Sequence, residues 1–291
     1  MIDVNLRIRP AVPADHRQIA DLILMEQRVH RHLDWRAPLE WLGSQPYFVL
    51  EKEERILAAL ACPPDPPSIF WIRLFVFDSI LSGSSAWLPL WEAVRHELSC
   101  FEEATAAIIT PQRWLETILY ESGFVPAQTI VMLEREEQPL ESRPIPAGIQ
   151  LRPMTVDDLP RVVEVDASAF QPLWQNSFPA LCKAFSQALF ASVAEGESGL
   201  VGYQLSTGNP FGAHLARLAV RPEAQRRGIA FALIGDLITR VYRAERSSRL
   251  TVNTQSDNAT SLALYEKIGF HRTGEQYPVY VYREADHGTT R

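Results

Sequence analysis

The sequence predicts a mixed α/β protein built from two copies of one fold. Each copy is expected to be a mixed, mostly antiparallel sheet with helices on both faces. Three observations support this prediction. The chain has 291 residues, which is long for one compact core. Its two halves begin and end with similar segments. In the second half, strand and helix patterns follow one another in an order that mixes hairpins with crossovers.

The repeat is visible at the start and at the end of each half. IRPAVPADHRQIADLI begins at Ile8, and LRPMTVDDLPRVVEV begins at Leu151. Each reads as a short strand ending in Arg-Pro, followed by an acidic N-cap region and apolar residues at helical spacing. LYESGFVPAQTIVMLER from Leu119 and LYEKIGFHRTGEQYPVYVY from Leu264 both predict a helix stopped by glycine and then a strand.

A segment rich in proline and charge separates the two halves. EREEQPLESRPIPAG begins at Glu134 and contains three prolines, which favours a semi-rigid linker. We therefore predict one domain at 1–135, a linker at 136–147 and a second domain at 148–291.

The second half predicts six strands and four helices. Strands are expected near 149–153, 189–195, 199–206, 214–220, 249–253 and 279–282, and helices near 156–170, 178–187, 228–242 and 258–268.

Composition excludes several classes of function. The net charge of −7 provides no global basic field for nucleic acid or anionic lipid. The longest apolar runs have the length of strands, and the start has no apolar signal, so we expect a cytoplasmic protein without a membrane partner. The three cysteines are far apart and no metal-ligand spacing occurs, which predicts neither a disulfide framework nor a metal site.

The helix after the fourth predicted strand carries the first functional pattern. The strand ends at Val220, and Gln225-Arg226-Arg227-Gly228-Ile229-Ala230 opens an amphipathic helix. A helix N-terminus presents unpaired N–H groups and partial positive charge, which suits a phosphate or pyrophosphate. Gly228 lets the backbone approach an anion, and the two arginines add charge. Physical reasoning on this pattern alone leaves a plain capped helix with solvated arginines as an alternative.

The last predicted helix adds a second, more specific pattern. It begins at Asn258, reaches Tyr265 and ends at Gly269-Phe270. Together, in this order and spacing, the two patterns make essentially the whole second half resemble the GNAT superfamily of acyl-CoA N-acyltransferases. Ala230 stands where glycine is commoner in that family, although alanine is also tolerated there.

The resemblance implies an acetyl-CoA donor site. The arginine–glycine loop would hold the CoA pyrophosphate, the preceding strand would pair with the pantetheine arm, and Asn258 would hydrogen-bond that arm. Tyr265 would face the thioester sulfur and protonate the thiolate as the amine attacks. An amphipathic tyrosine packed beside a core helix is the alternative for this residue. The implied donor-binding residues are Leu218, Ala219, Val220, Gln225, Arg226, Arg227, Gly228, Ile229, Ala230, Phe231, Asn258 and Tyr265.

His214 is the candidate base that would accept the proton of the amine. It lies six residues before Val220, where the histone-acetylating branch of the superfamily carries a glutamate. Strand alternation predicts that His214 shares a face with Leu218 and Val220. A structural histidine is the competing interpretation. Glu164 and Asp166, expected to be solvated on the first helix, are weaker candidates.

The first half is a degenerate copy. Aligning Val76 with Val220 puts Ser82–Ala86 where Arg226–Ala230 stand, so the arginines and the central glycine are absent. Counting back from the helix-ending glycines puts Leu119 at the position of Tyr265. We expect this half to have a structural or substrate-shaping role.

The function predicted is transfer of an acetyl group from acetyl-CoA to a primary amine, by direct attack in a ternary complex. The acceptor stays open. The second half resembles ribosomal-protein N-terminal acetyltransferases, which suggests a peptide N-terminus, whereas the tandem architecture resembles mycothiol synthase, which suggests a small molecule. A catalytically idle acyl-CoA-binding module is the alternative, and the chain is expected to be a monomer or homodimer. Residues expected near the acceptor are Trp174, Gln175, Tyr203 and Tyr277.

Overall fold

The computed structural model describes residues 6–141, 143–209, 212–243 and 249–283. The chain forms two compact units, each completed by a strand from the other half of the sequence. Unit 1 comprises Met1–Ala127 and Pro278–Arg291, and unit 2 comprises Gln128–Tyr277. Within the described ranges, no helix is both long and apolar enough to cross a membrane.

The described part of unit 1 contains three α-helices and two groups of strands. Five strands pair in the order β1-β3-β4-β6-β2, and β5 pairs with β7, which also pairs with the end of the last strand of the chain. The elements are β1 (Arg7–Pro10), α1 (His16–Met25), β2 (Val29–Arg31), β3 (Tyr47–Lys52), β4 (Arg55–Ala61), β5 (Ile69–Trp71), β6 (Leu74–Phe77), α2 (Gly83–Leu98), β7 (Thr105–Ile109) and α3 (Arg113–Glu121).

Unit 2 contains the second copy of this plan. Its strands lie in the order β8-β13-β12-β11-β10-β9, and only the β12–β13 pair within that order is parallel. The elements are β8 (Val125–Glu136), β9 (Gln150–Pro153), α4 (Leu159–Ala169), α5 (Phe178–Gln187), β10 (Phe190–Gly196), β11 (Gly199–Asn209), β12 (Gly212–Val220), α6 (Ile229–Arg243), β13 (Arg249–Gln255), α7 (Ala259–Ile268) and β14 (His271–Arg283).

The exchanged strands make the compact units differ from the domains predicted at 1–135 and 148–291. Residues 130–136 of β8 pair with β13 in unit 2, although they belong to the first half of the sequence. Residues 279–283 of β14 pair with β7 in unit 1, although they belong to the second half. The strand β8 continues to Glu136, the first residue of the predicted linker.

The Arg-Pro segments anchor both units in the same way. Arg9 Nη1 lies 2.7 Å from Asp15 Oδ2, and Arg152 Nη1 lies 2.8 Å from Asp158 Oδ2. The hydrogen bond from Arg152 lowers the pKa of Asp158 to about 2, so this carboxylate is ionised at neutral pH. The repeated sequence pattern therefore corresponds to a repeated ion pair that ties the first strand to the turn before the first helix.

Helices α6 and α7 enclose the core of unit 2 against its sheet. Phe231, Ile234, Leu237, Ile238 and Val241 recur at helical spacing on α6 and are buried against the strands. The helix α7 ends where the sequence predicts, because Gly269 adopts the left-handed conformation with φ 95°. These two helices fix the positions of the residues described next.

Candidate functional site

The cleft of unit 2 arises where strands β12 and β13 diverge. Their parallel pairing lasts for three residues, from Ala213 opposite Leu250 to Leu215 opposite Val252. On the other side of β12, Arg217 lies opposite Leu205 and Leu215 lies opposite Ser206, so Ala216 is an extra residue in a β-bulge. Beyond the bulge, β12 pairs with β11 alone, while β13 continues along β8. Among the residues that the structure describes, the edge of β12 that faces away from β11 therefore has no strand partner beyond Leu215.

An open cleft of about 580 Å³ lies at this divergence. It is bounded by the end of β12, the following loop, the start of α6, the loop before α7 and the segment after α4. Its wall is formed by Gln128, Ala169, Phe170, Gln171, Trp174, Leu218, Ala219, Val220, Ala224, Gln225, Arg226, Gly228, Ile229, Ala230, Phe231, Gln255, Asp257, Asn258, Thr260, Ser261, Leu264 and Tyr265. Eleven of the twelve residues predicted to bind the donor are in this wall; Arg227 is exposed and is not.

The loop before α6 has the shape expected of an anion site. Arg226 and Gly228 both have positive φ, 61° and 86°, and α6 begins at the next residue, Ile229. The N–H groups of the first turn of a helix have no partner within the helix. A Cβ at Gly228 would have only Pro146 Cγ nearby, at 3.7 Å, so the backbone conformation is the constraint that selects glycine here. The side chain of Gln225 steadies the loop by donating to the carbonyl of Val220 at 3.0 Å.

Asn258 and Tyr265 project from α7 into the same cleft. Asn258 is the N-cap of the helix, and its Oδ1 accepts the N–H of Ser261 at 3.1 Å. Its amide nitrogen is thus the group left to donate to a ligand. Tyr265 is 5 % exposed and packs edge-on against Phe270, and burial raises the pKa of its phenol. The hydroxyl is therefore protonated at neutral pH and can act as a donor.

An ion pair with a fully buried carboxylate holds the segment after α4 in the wall of the cleft. Asp166 is fully buried and accepts hydrogen bonds from Arg217, from the hydroxyl of Tyr203 and from the N–H of Asn176. Arg217 also donates to the carbonyl of Trp174 at 2.6 Å. The expectation that Asp166 is solvated is wrong, because the helix turns this carboxylate toward the sheet. A charged residue inside an apolar strand, Arg217, is the sequence signal for this pair.

His214 lies outside the cleft wall, contrary to the face predicted for it. Its Nδ1 is 2.9 Å from Thr251 Oγ1 and its Nε2 is 3.1 Å from Asn253 Oδ1, both on β13. The bulge at Ala216 breaks the alternation of β12, so His214 shares a face with Arg217 rather than with Leu218. Burial lowers the pKa of His214, which favours the neutral imidazole.

The residues expected near the acceptor are only partly brought together. Trp174 is in the cleft wall, and its Nε1 donates to Gln128 Oε1 at 2.8 Å. Gln175 hydrogen-bonds to the carbonyls of Ala167 and Phe170, and Tyr203 is buried beneath the wall. Tyr277 donates to Glu275 outside it. In the described part of the chain, no group of His, Cys, Asp and Glu side chains is arranged to hold a metal.

Comparison with known proteins finds matches to the second copy. Residues 163–279 match the family model described as acetyltransferase (GNAT) domain. A stretch of 146 residues is 29% identical to an uncharacterized protein of Mycobacterium leprae. That alignment covers 46% of this chain and 38% of the relative, so the match spans well under half of the relative's length.

Solved structures extend the likeness to both copies. A GCN5-related N-acetyltransferase from Sphaerobacter thermophilus is 20% identical with a TM-score of 0.63, and the match covers 97% of each chain. A tandem GNAT protein from the clavulanic acid biosynthesis pathway is 15% identical with a TM-score of 0.63, covering 97% of this chain and 100% of the other. A probable N-acyltransferase from Enterococcus faecalis V583 is 9% identical with a TM-score of 0.70, covering 96% and 73%. The chain thus has the fold of these structures, two GNAT-type folds in tandem, and residues 163–279 match the model of the GNAT acetyltransferase domain.

Proposed function

We propose that the protein transfers an acetyl group from acetyl-CoA to a primary amine, with one donor site in unit 2. The observation that carries the proposal is the single cleft at the divergence of β12 and β13. It brings together the arginine–glycine loop, an unpaired strand edge, Asn258 and Tyr265, which lie up to 47 residues apart in the sequence. A GNAT acetyltransferase domain supports acyl transfer in general, and the identities of donor and acceptor are our proposal.

Different parts of the cleft would bind the pyrophosphate and the pantetheine arm of the donor. The N-terminus of α6 and the side chain of Arg226 favour the pyrophosphate through partial and full positive charge. The pantetheine arm would lie along Leu218, Ala219 and Val220, where the strand edge offers backbone groups to its amides. The side-chain nitrogen of Asn258 would donate to one of the amide carbonyls. This mode of binding follows the resemblance to the family, and the open edge supports it.

Tyr265 would stabilise the leaving thiolate. The amine attacks the thioester carbonyl, the carbon–sulfur bond breaks, and the sulfur takes up negative charge as it leaves. A neutral phenol in a poorly solvated position can donate a hydrogen bond or its proton to that sulfur. Removing such a donor typically costs one to three orders of magnitude in rate.

The attacking amine must first lose a proton. A lysine-like amine with a pKa near 10.4 is neutral to about one part in a thousand near pH 7.4, a penalty of roughly 4 kcal/mol. His214 is a poor candidate for this step because both ring nitrogens hydrogen-bond to side chains of β13 and the residue is outside the cleft wall. Asp257 is in the wall, close in sequence to Asn258, and attracts an ammonium group. We propose that the proton leaves to water beside this carboxylate.

Release of CoA thiol from acetyl-CoA, followed with small amines and with peptides that have free N-termini, tests the proposal. Turnover with a peptide would favour the likeness to ribosomal-protein N-terminal acetyltransferases, and turnover with a small amine would favour the likeness to mycothiol synthase. If calorimetry shows tight binding of acetyl-CoA but no amine is acetylated, the proposed acetyl transfer is contradicted. A catalytically idle acyl-CoA-binding module would then be favoured.

A further inference from the structure

Unit 1 contains the same divergence of strands as unit 2. Its strand β5 pairs in parallel with β7 for three residues, from Ile69 opposite Thr105 to Trp71 opposite Ala107. The chain then leaves β7 and continues as β6 beside β4. With Val76 aligned to Val220, the break at Ile72 coincides with the bulge at Ala216. A slot of the kind that forms the unit 2 cleft is therefore present in the first copy as well.

We infer that the chain's own strand β2 fills this slot and occupies in unit 1 the place that the donor's pantetheine arm takes in unit 2. The inference rests on the proposed function for the meaning of the unit 2 cleft. Val29, His30 and Arg31 pair antiparallel with Val76, Phe75 and Leu74, along the edge of β6 opposite β4. The pairing continues where His32 N–H donates to the carbonyl of Arg73 at 3.1 Å.

Gln112 supports the correspondence residue by residue. It is the N-cap of α3 and precedes Gly123 by as many residues as Asn258, the N-cap of α7, precedes Gly269. Its side-chain nitrogen donates to the carbonyl of Val29 in β2 at 2.8 Å. The residue at the position of Asn258 thus hydrogen-bonds a main-chain amide group in the slot of unit 1, which is the type of group that the pantetheine arm offers.

The strand β2 is held firmly in the slot. His30 is 1 % exposed, and its Nε2 lies 3.1 Å from the carbonyl of Ile72. His32 stacks on Trp71 with ring centroids 4.8 Å apart. The segment after β2 is tied down by Asp34, whose Oδ2 lies 2.8 Å from Arg73 Nη1. These contacts fix the strand at both of its ends, so a donor would have to displace buried and paired groups.

At the corresponding positions, unit 1 also lacks the groups that would bind the phosphates and the thiolate of a donor. At the start of α2, the hydroxyl of Ser82 accepts the N–H of Ser85 at 3.0 Å, which uses a first-turn donor internally. Leu119, at the position of Tyr265, is fully buried in the core of unit 1 and has no hydroxyl. The protein should therefore bind one acetyl-CoA per chain.

Hydrogen–deuterium exchange of the full chain, with and without acetyl-CoA, tests the occupied slot. Peptides covering 72–78 should exchange slowly in both conditions, because β2 pairs with β6 permanently. Peptides covering 216–221 should become at least several-fold slower only when acetyl-CoA is added. Acetyl-CoA-dependent protection of 72–78 would overturn the inference, because it would mean that the donor enters the unit 1 slot.

Two matched variants separate this inference from the proposed function. Gln112→Ala should accelerate exchange at 29–32 and 72–78 by about three- to tenfold, which corresponds to the net free energy of one lost hydrogen bond. It should leave the KM for acetyl-CoA unchanged. Asn258→Ala should raise that KM and leave exchange at 72–78 unchanged. If acetyl-CoA protects neither 72–78 nor 216–221 from exchange, the proposed donor site in unit 2 is contradicted. The effect of Gln112→Ala on exchange still tests whether β2 occupies the slot of unit 1. Unchanged exchange at 72–78 in Gln112→Ala would count against the inference.

Discussion

The two units contain an arginine at the same position after the strand break, buried in unit 1 and largely buried in unit 2, yet each arginine pairs with a carboxylate in a different place. Arg217 in unit 2 binds Asp166, which lies on the first helix of that unit, so the segment after the helix stays in the cleft wall. Arg73 in unit 1 binds Asp34, which lies beyond β2, so the intervening residues enter the slot. In each unit, the path of the segment that follows the first helix determines whether the slot is open or filled.

The largest expected effect follows from breaking the unit 2 pair. Asp166→Ala should lower the free energy of unfolding by about 3 kcal/mol, because Arg217, whose side chain is only 13% exposed, would lose the carboxylate that compensates its charge. Glu164→Ala on the same helix is the control, since Glu164 pairs with Arg221 at the surface and should change stability by less than about 1 kcal/mol. Urea denaturation measures both. Equal losses would mean that this ion pair has no special part in holding the cleft wall.

Acid should weaken unit 1 through the strand that fills its slot. Burial lowers the pKa of His30 to about 4, below the usual value of 6.5, so the unfolded chain binds the proton more readily than the folded one. The contribution of neutral His30 to the free energy of unfolding should be fully present above about pH 6.5. It should fall by up to about 3 kcal/mol as the pH drops toward 4. His30→Gln should remove this part of the pH dependence in denaturant titrations and leave the part that comes from His32, whose pKa burial also lowers. An unaltered slope would contradict the assignment.

Donor binding should depend on the backbone at the start of α6. Gly228→Val should weaken acetyl-CoA binding about a hundredfold, because valine resists a φ of 86° and adds bulk beside the proposed pyrophosphate site. Gly199→Val is the matched control: its φ is 104° and a Cβ there would meet no atom within 4 Å. Both variants should lose stability, but calorimetry should show a loss of binding only for Gly228→Val. Similar affinities in the two variants would refute the anion site.

Tyr265 should affect chemistry rather than donor affinity. Tyr265→Phe keeps the packing on Phe270 and removes the hydroxyl, so kcat should fall about ten- to a thousandfold while acetyl-CoA affinity stays within a few fold. Tyr277→Phe, whose hydroxyl donates to Glu275 outside the cleft wall, should leave kcat unchanged. A normal kcat for Tyr265→Phe, under conditions in which chemistry limits the rate, would make this residue a packing residue like Leu119.

The smallest effect is expected at His214. His214→Ala should leave the shape of the pH profile of kcat/KM unchanged, because the bulge turns the imidazole away from Leu218 and Val220. It should lower stability modestly through the loss of the hydrogen bonds to Thr251 and Asn253. Loss of an ascending limb near pH 6–7 in this variant would restore His214 as the base.

The sequence predicted the GNAT-type fold and about half of the residues in the cleft wall, because those features depend on local patterns. The spacing from Asn258 to Gly269 fixes one helix with its caps, and the arginine–glycine loop fixes the start of another. The bulge at Ala216 could not be predicted, because it is defined by the partner strand β11 and nothing in the local residues marks it. The strand β14 was predicted too short, since Gly274 and Pro278 usually interrupt a strand, yet it runs from His271 to Arg283.

The exchanged strands make each copy depend on the other for a complete structure. Loss of the first half by deletion would remove residues 128–136 and leave β13 as a bare sheet edge in unit 2. A cut between Gln138 and Pro146 would instead give two fragments, each of which lacks a strand that the other carries. Such fragments should be insoluble or unstable when produced separately and should regain activity when produced together. The two copies are thus bound to each other in the sequence, since neither compact unit is complete without residues from both halves.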